Sequence, residues 1–260
     1  MVLLNGQPIE GTLGHSKTVE DWRVTGMDRI EAARNITELL KLDYPPVGIM
    51  FVSERPDGVE DLADAVPSAC AMWRIGEKRL FYADAEAHFG CAVGALTMGF
   101  ELPAEVQKRL GDTADLMRTS GYIAPEELEK LPTVDRPKTG IVYGPLSSFT
   151  EEPDLILMWL LPRQAMIFNE ATDSVNWTHP GGSVLGRPAC SALPVALNTS
   201  QATVSMGCIG MRTFTEIPDA YLLAVIPGEK AAQFSEALTA KTAANRTMES
   251  WYEESKRALA

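Results

Sequence analysis

Residues 46–52 read PVGIMFV, a short and continuous apolar run between a proline pair and the breaker-rich loop SERPDG (53–58). A run of this length, bounded in this way, is typical of a strand that is buried on both faces. The preceding segment carries apolar residues at helical spacing, and proline disfavours helix in the residue before it. We therefore predict a helix that ends before Pro45, followed by a buried strand.

The alternation of helix and strand continues along the chain. We predict a helix around Cys70, a short strand over RLFYA (79–83), and a helix that Asp84 opens and that runs through Cys91. Later strands are predicted over the apolar runs IVYGPL, LILMWLL, AMIFNE and AYLLAVIP. With a long terminal helix from Pro227 onward, the pattern predicts an α/β or α+β fold with mixed sheets and packed helices.

Composition and charge limit the class of protein. The 260 residues, 45% hydrophobic and 22% charged, are enough for one large domain or two closely packed halves. A net charge of −12 argues against nucleic acid and against an anionic membrane surface, because both need a basic face. Without a run of bilayer length or a signal peptide pattern, we expect a cytoplasmic protein with no membrane partner.

The four cysteines occur in two similar settings. Cys70 lies in PSACAMWR and Cys190 in RPACSALP, while Cys91 and Cys208 each follow a glycine. The run PVGIMFV precedes Cys70 and Cys91, and the motif FELPAE follows them. In the same way, PRQAMIF precedes Cys190 and Cys208, and TEIPDA follows them. Such echoes, in the same order, indicate an internal repeat of roughly 90 to 110 residues.

The repeat predicts two pseudo-symmetric halves that form one compact unit. We expect an N-terminal arm over 1–24, a first half over 25–135, and a second half with the terminal helix over 136–260. The polar, breaker-rich stretch TVDRPKTG (133–140) marks the boundary. Equivalent residues meet near a pseudo-twofold axis, so the repeat makes it plausible that the four cysteines come together as two plus two.

Four thiolates are soft ligands, which suit a zinc ion or an iron–sulfur cluster. Structural zinc usually takes cysteines about two to four residues apart, whereas the closest pair here is 18 residues apart. We therefore expect a [4Fe–4S] cluster with Cys70, Cys91, Cys190 and Cys208 as ligands. Thiols stay reduced in the cytoplasm, which disfavours disulfides.

Glycines next to the cysteines support a cofactor site. A cysteine that follows a glycine and opens a helix lies where free backbone N–H groups stabilise an anion, and this is the setting of Cys91 and Cys208. Gly90, Gly207 and Gly210 would let the backbone approach the cofactor closely.

Two further side chains are candidates for catalysis. His88 precedes Cys91 by three residues and shares its face on a helix, where it would serve as a further ligand or donate a proton. Arg212 follows Cys208 by one helical turn, where it would hold an anionic substrate or offset the charge of the cluster. A half-buried histidine and a surface ion pair are the simpler alternatives.

The chain resembles a known family at several separated motifs. It is similar to the prokaryotic family called domain of unknown function 169. The motifs that carry the resemblance are, in order along the chain, YPPVGIMFV, FYADAEAHFGCAVGALTMGF, YGPL, LPRQAMIF and GCIGMRTFTEIPDAY. The resemblance covers about residues 25 to 240. It implies a soluble, often anaerobe-associated protein, and it places all four cysteines, Gly210 and Arg212 in the family pattern.

We thus expect an iron–sulfur redox protein, an oxidoreductase or an electron carrier, that acts on a small molecule or a redox partner protein. The sequence also allows a homo-oligomer. One alternative is an enzyme without metal, in which a thiolate of Cys91 or Cys208 is the nucleophile. Another is an accessory protein that binds a small ligand or a tetrapyrrole between its halves, with the cysteines serving only in packing.

Overall fold

The computed structural model describes residues 3–4, 7–8, 29–63, 65–123, 127, 130–136, 138–172, 175–176 and 188–259. Most of the predicted N-terminal arm (1–24) lies outside these ranges. Two short strands are described there, β1 (Leu3–Leu4) and β2 (Gln7–Pro8), and they pair antiparallel.

A seven-stranded sheet organises the described part of the chain. Its strands are β3 (Val47–Val52), β4 (Phe81–Asp84), β5 (Gly140–Pro145), β6 (Leu155–Leu160), β7 (Val175–Asn176), β8 (Ala202–Ser205) and β9 (Leu222–Pro227). They lie in the order β4-β5-β3-β6-β9-β8-β7. The first six pair antiparallel, and β7 joins β8 in parallel at the edge. The fold is therefore α+β.

The strand β6 lies at the centre of the sheet and is buried on both faces. Leu157 and Trp159 belong to the core on one face, while Ile156 and Met158 belong to the core on the other. This alternation follows from the period of two along a strand. It explains why the segment reads as a continuous apolar run in the sequence.

Helices cover both faces of the sheet. One face packs against α1 (Arg29–Leu40), α6 (Pro162–Ala171) and α9 (Ala231–Ala258). The other face packs against α2 (Ala69–Gly76), α7 (Ala192–Thr199) and α8 (Ile209–Thr215). Three more helices extend this second layer: α3 (Ala85–His88), α4 (Ala92–Thr97) and α5 (Ala104–Thr119). All four cysteines lie on this second side.

One predicted strand and one predicted correspondence between the two halves are wrong. The run AMIFNE belongs to helix α6 and not to a strand, because Pro162 starts the helix and Phe168 packs into the core with Ala165 and Ala171 at helical spacing. The pairing of PVGIMFV with PRQAMIF as equivalent segments is therefore wrong as well, since the first is a strand and the second is a helix.

The helix predicted from Asp84 through Cys91 is two helices. Asp84 begins α3 as predicted, and its carboxylate accepts a hydrogen bond from the Ala87 N–H at 2.8 Å. The helix ends at His88, and Cys91 adopts an extended backbone with φ −123° that begins α4. Between them, Gly90 packs directly against the backbone at Val66, and this contact separates the two helices.

The strand order has a regularity that bears on the predicted repeat. Among the first three strands of the sheet along the chain, β3 is innermost, β4 is outermost and β5 lies between them. On the other side, β6 is innermost, β8 is the outer strand of the three and β9 lies between them. This order is the one that a repeat predicts, although the repeat itself stays a prediction. The boundary predicted at residue 135 likewise stays a prediction.

Within the described ranges, we find no helix that combines the length and the apolar character needed to cross a membrane.

Candidate functional site

Two of the cysteines begin helices in the same way. Cys91 precedes α4, and its sulfur accepts a hydrogen bond from the N–H of Gly94 at 3.4 Å. Cys208 precedes α8, and its sulfur accepts from the N–H of Met211, also at 3.4 Å. Both residues are extended, with φ of −123° and −125°. Each sulfur thus occupies the N-cap position, where a helix offers N–H groups without an internal partner.

The other two cysteines are buried in the first turn of a helical segment. Cys70 is the second residue of α2, which the hydroxyl of Ser68 caps by accepting a bond from the Ala71 N–H. Cys190 lies in a short 3₁₀ turn (Ala189–Ser191) just before α7. Its thiol donates to the hydroxyl of Thr97 at 3.6 Å, which links the second half of the chain to α4.

All four cysteines line one cavity of about 350 Å³. Cys70 and Cys91 come from the predicted first half, and Cys190 and Cys208 come from the predicted second half. The cavity therefore lies where segments far apart in the sequence meet. All four are free thiols in the structure.

Burial sets the protonation state of these thiols. Loss of solvent raises the pKa of Cys70 well above its ordinary value, and the neighbouring Cys190, Cys208 and Cys91 raise it further. The pKa values of Cys190 and Cys91 are also raised, again chiefly by burial. The mutual effect shows that the four sulfurs lie close enough to interact. These three thiols are protonated at neutral pH.

The four thiols do not form a ready-made site for a single metal ion. In the part of the chain that is described, no three side chains among His, Cys, Asp and Glu stand close enough to share one ion. In a cluster each cysteine binds a different iron, so the ligand sulfurs lie farther apart than around one zinc ion.

The three predicted glycines have different roles. Gly90 and Gly210 line the cavity, and their role beside a cofactor stays a prediction. Gly90 is also constrained by the protein itself, because a side chain there would collide with the carbonyl oxygen of Val66. Gly207 is not among the lining residues, and its φ of +81° instead forms the left-handed turn before Cys208.

His88 is fully buried and does not line the cavity. Its Nδ1 is 2.6 Å from the carbonyl oxygen of Asp84, which only accepts, so Nδ1 carries the proton. Nε2 therefore accepts from the hydroxyl of Tyr143 at 3.0 Å. Burial lowers the pKa of His88 to about 4. This placement favours a buried packing histidine, and a catalytic role for it stays a prediction.

Arg212 supports the segment around Cys208 and is not a lining residue of the cavity. Its guanidinium donates to the carbonyl oxygens of Met206 at 2.7 Å and Tyr221 at 3.2 Å. Asp219 is its ionic partner at 3.5 Å. Arg212 thus holds the turn before α8 in place, and its predicted role toward an anionic substrate is not favoured by this geometry.

The sequence analysis missed one wall of the cavity. Arg109, Thr113 and Met117 line it from α5, and Tyr122 and Ile123 line it from the segment that follows. The four-residue spacing of Arg109, Thr113 and Met117 places them on one face of α5 and is visible in the sequence. The rest of this helix has the pattern of an ordinary surface helix, so the face does not stand out.

One comparison with known proteins identifies a family. The family described as Uncharacterised ArCR matches residues 35–237, most of the chain. No curated protein and no solved structure matches the chain. The chain therefore belongs to the Uncharacterised ArCR family, domain of unknown function 169, which its motifs resemble.

Proposed function

We propose that this protein binds an iron–sulfur cluster, most simply [4Fe–4S], and uses it in electron transfer or reductive chemistry on a small molecule. The ligands would be Cys70, Cys91, Cys190 and Cys208. One observation carries the proposal: every cysteine of the chain lines the same cavity, although they come from four separate segments. Packing alone would not require them to meet.

The chemistry of the cavity supports a positively charged occupant. Protonated thiols in an apolar cavity lose their protons only when a cation compensates the negative charge. Iron supplies that charge, and thiolates are its usual ligands in clusters. The N–H groups of Gly94 and Met211 already point at the sulfurs of Cys91 and Cys208, where they would stabilise thiolates and lower the electron density on the cluster.

The two alternatives fare differently. A nucleophilic thiolate needs a lowered pKa, and burial raises the pKa of Cys91 instead. The second alternative, a small-ligand-binding protein, is supported by the apolar part of the cavity that extends beyond the cysteines. The proposed cluster protein also needs such a part, because its substrate has to bind beside the cluster.

The test is an absorption spectrum with iron and sulfide analysis on protein purified without oxygen. We expect about four irons and four sulfides per chain and a broad band near 400 nm that dithionite bleaches. A colourless protein without iron, which also fails to take up a cluster from ferrous iron and sulfide, would contradict the proposal.

Serine variants separate metal ligation from helix capping. Serine is a good N-cap, so Cys91→Ser and Cys208→Ser keep the acceptor for the Gly94 and Met211 N–H groups while they remove the soft sulfur. We expect each variant to fold and to lose most of its iron. The control is Ile209→Ser, next to Cys208 at the cavity mouth, which keeps its iron. Full iron in the variant with both cysteines replaced would exclude the proposed ligand set.

A further inference from the structure

We propose that the outer part of the cavity binds a small carboxylic acid with an apolar body, and that this molecule is the substrate of the cluster. The role as substrate rests on the proposed function. The binding step depends only on the cavity wall, so the two can be tested apart.

The outer part of the cavity has the composition of a small-molecule site. Thr113 and Met117 lie on one face of α5, and Tyr122, Ile123 and Phe214 add apolar and aromatic surface. Ligand sites are usually of this kind, with an apolar wall and a few polar groups that orient the ligand. The whole cavity, including the part beside the cysteines, measures about 350 Å³, near the lower end of the usual range of roughly 300–1,000 Å³, so its outer part suits only a small molecule.

One cation defines the charge of the expected ligand. Among the described residues that line the cavity, Arg109 alone carries a formal charge at neutral pH. One of its nitrogens donates to the carbonyl oxygen of Phe89 at 2.8 Å. No ion pair within the described ranges involves Arg109. A guanidinium has five N–H donors and binds a carboxylate with two of them, so Arg109 retains donors for one anionic group.

The mouth of the cavity is apolar and reaches solvent. Ile209 and Phe214 both line the cavity, yet their exposed fractions are 65% and 41%. The hydroxyl of Tyr122 accepts a hydrogen bond from the Ile209 N–H at 3.3 Å, which joins the segment after α5 to the start of α8. An apolar molecule would thus enter between two connected walls and find Arg109 beside the cysteines. Polar, multiply charged molecules are disfavoured because a single cation and an apolar wall would not replace their hydration.

The test is calorimetric titration of the full-length protein, purified without oxygen, with hexanoate, octanoate and 1-octanol at pH 7. We expect octanoate to bind, with a gain of about fourfold in affinity for each methylene beyond hexanoate, since each buried methylene adds hydrophobic free energy. Arg109→Gln should weaken octanoate at least about tenfold and leave octanol unchanged, because only the carboxylate uses the charge. Arg109→Lys should restore most of the affinity for octanoate.

The matched control is Arg118→Gln, on the same helix but paired with Asp115 outside the cavity, which should bind octanoate like the native protein. No binding of octanoate at millimolar concentration would overturn the proposal, as would equal losses in Arg109→Gln and Arg118→Gln. Iron analysis of the same samples separates the two hypotheses. If the protein contains iron but does not bind octanoate, only this inference is wrong. If it binds octanoate but contains no iron, the proposed function is wrong and the cavity remains a ligand site.

Discussion

At the scale of single residues, the site depends on cysteines used as helix N-caps. Serine, threonine, aspartate and asparagine are the usual caps, because their oxygens accept strong hydrogen bonds. Sulfur is a weaker acceptor, so the cysteines at positions 91 and 208 cap less well than serine would. The proposed metal-binding role would account for two such caps, since a thiolate that binds a metal is a much better acceptor than a thiol.

The buried His88 makes a prediction about pH. Its pKa is about 4 in the folded protein because of burial, whereas the ordinary value of 6.5 applies in the unfolded chain. Between these values the unfolded state binds more protons, so stability falls as the pH falls from 6.5 toward 4. We expect the free energy of unfolding of metal-free protein to fall by about 1.4 kcal/mol per pH unit more than in His88→Gln.

Urea unfolding at several pH values, followed by circular dichroism, measures this difference. The raised pKa of Glu77 acts in the opposite sense, because protonation of that buried carboxyl favours the folded state. It is present in both proteins and cancels in the comparison. Parallel pH profiles for the native protein and His88→Gln would show that the histidine is protonated as easily in the folded state as in the unfolded one.

At the scale of elements, small residues bring the cysteine-bearing helices together. A side-chain carbon at Gly94 of α4 would lie 3.4 Å from the Cβ of Ala69 of α2 and 3.5 Å from the sulfur of Cys91. The two helices therefore approach closely where Cys70 and Cys91 face the same cavity. Because packed interiors adapt poorly to added volume, this approach depends on the small side chains.

Gly90 and Gly210 make a matched pair of substitutions. Gly90→Ala would place a methyl group against the backbone at Val66 and Pro67, and we expect it to lower the free energy of unfolding by about 1–3 kcal/mol. Gly210→Ala meets only the ring of Phe214, at 3.8 Å, and alanine is the better helix former. That variant should be neutral or more stable by up to about 1 kcal/mol. Urea unfolding of both variants provides the measurement, and equal stabilities would contradict the predicted contact.

At the scale of the whole molecule, one sheet carries both predicted halves. The strands β3 and β6 pair directly, and the ring centroids of Trp73 and Trp159, one from each predicted half, lie 6.1 Å apart. The cavity collects two cysteines from each side, so a bound cluster would connect both halves. A group that binds only the folded state adds its binding free energy to stability.

We therefore expect cluster-loaded protein to unfold in one transition, with the same midpoint by tryptophan fluorescence and by circular dichroism. Removal of the cluster with a chelator should lower that midpoint by at least about 5 °C, since 1 kcal/mol corresponds to about 2–4 °C in a chain of this size. Midpoints that differ between the two probes would show that the halves unfold separately. An unchanged midpoint after iron removal would show that the metal does not connect them.

The sequence by itself determined most of the elements and the set of candidate ligands. A short apolar run between breakers is a local signal for a buried strand. Three strands show this signal: Val47–Val52, Leu155–Leu160 and Leu222–Pro227. The spacing around the four cysteines was equally visible. The segment at Pro162 was misassigned because an apolar run of that length fits a strand and a buried helix alike.

Only the tertiary structure decided which residues meet. The convergence of four cysteines, the burial of His88 and the approach of Arg109 to the cavity all depend on contacts between segments far apart in the chain. Local periodicity determines whether a segment forms a helix or a strand, and it tells which face is apolar. It does not tell which other segment covers that face, because this is set by the packing of the whole core.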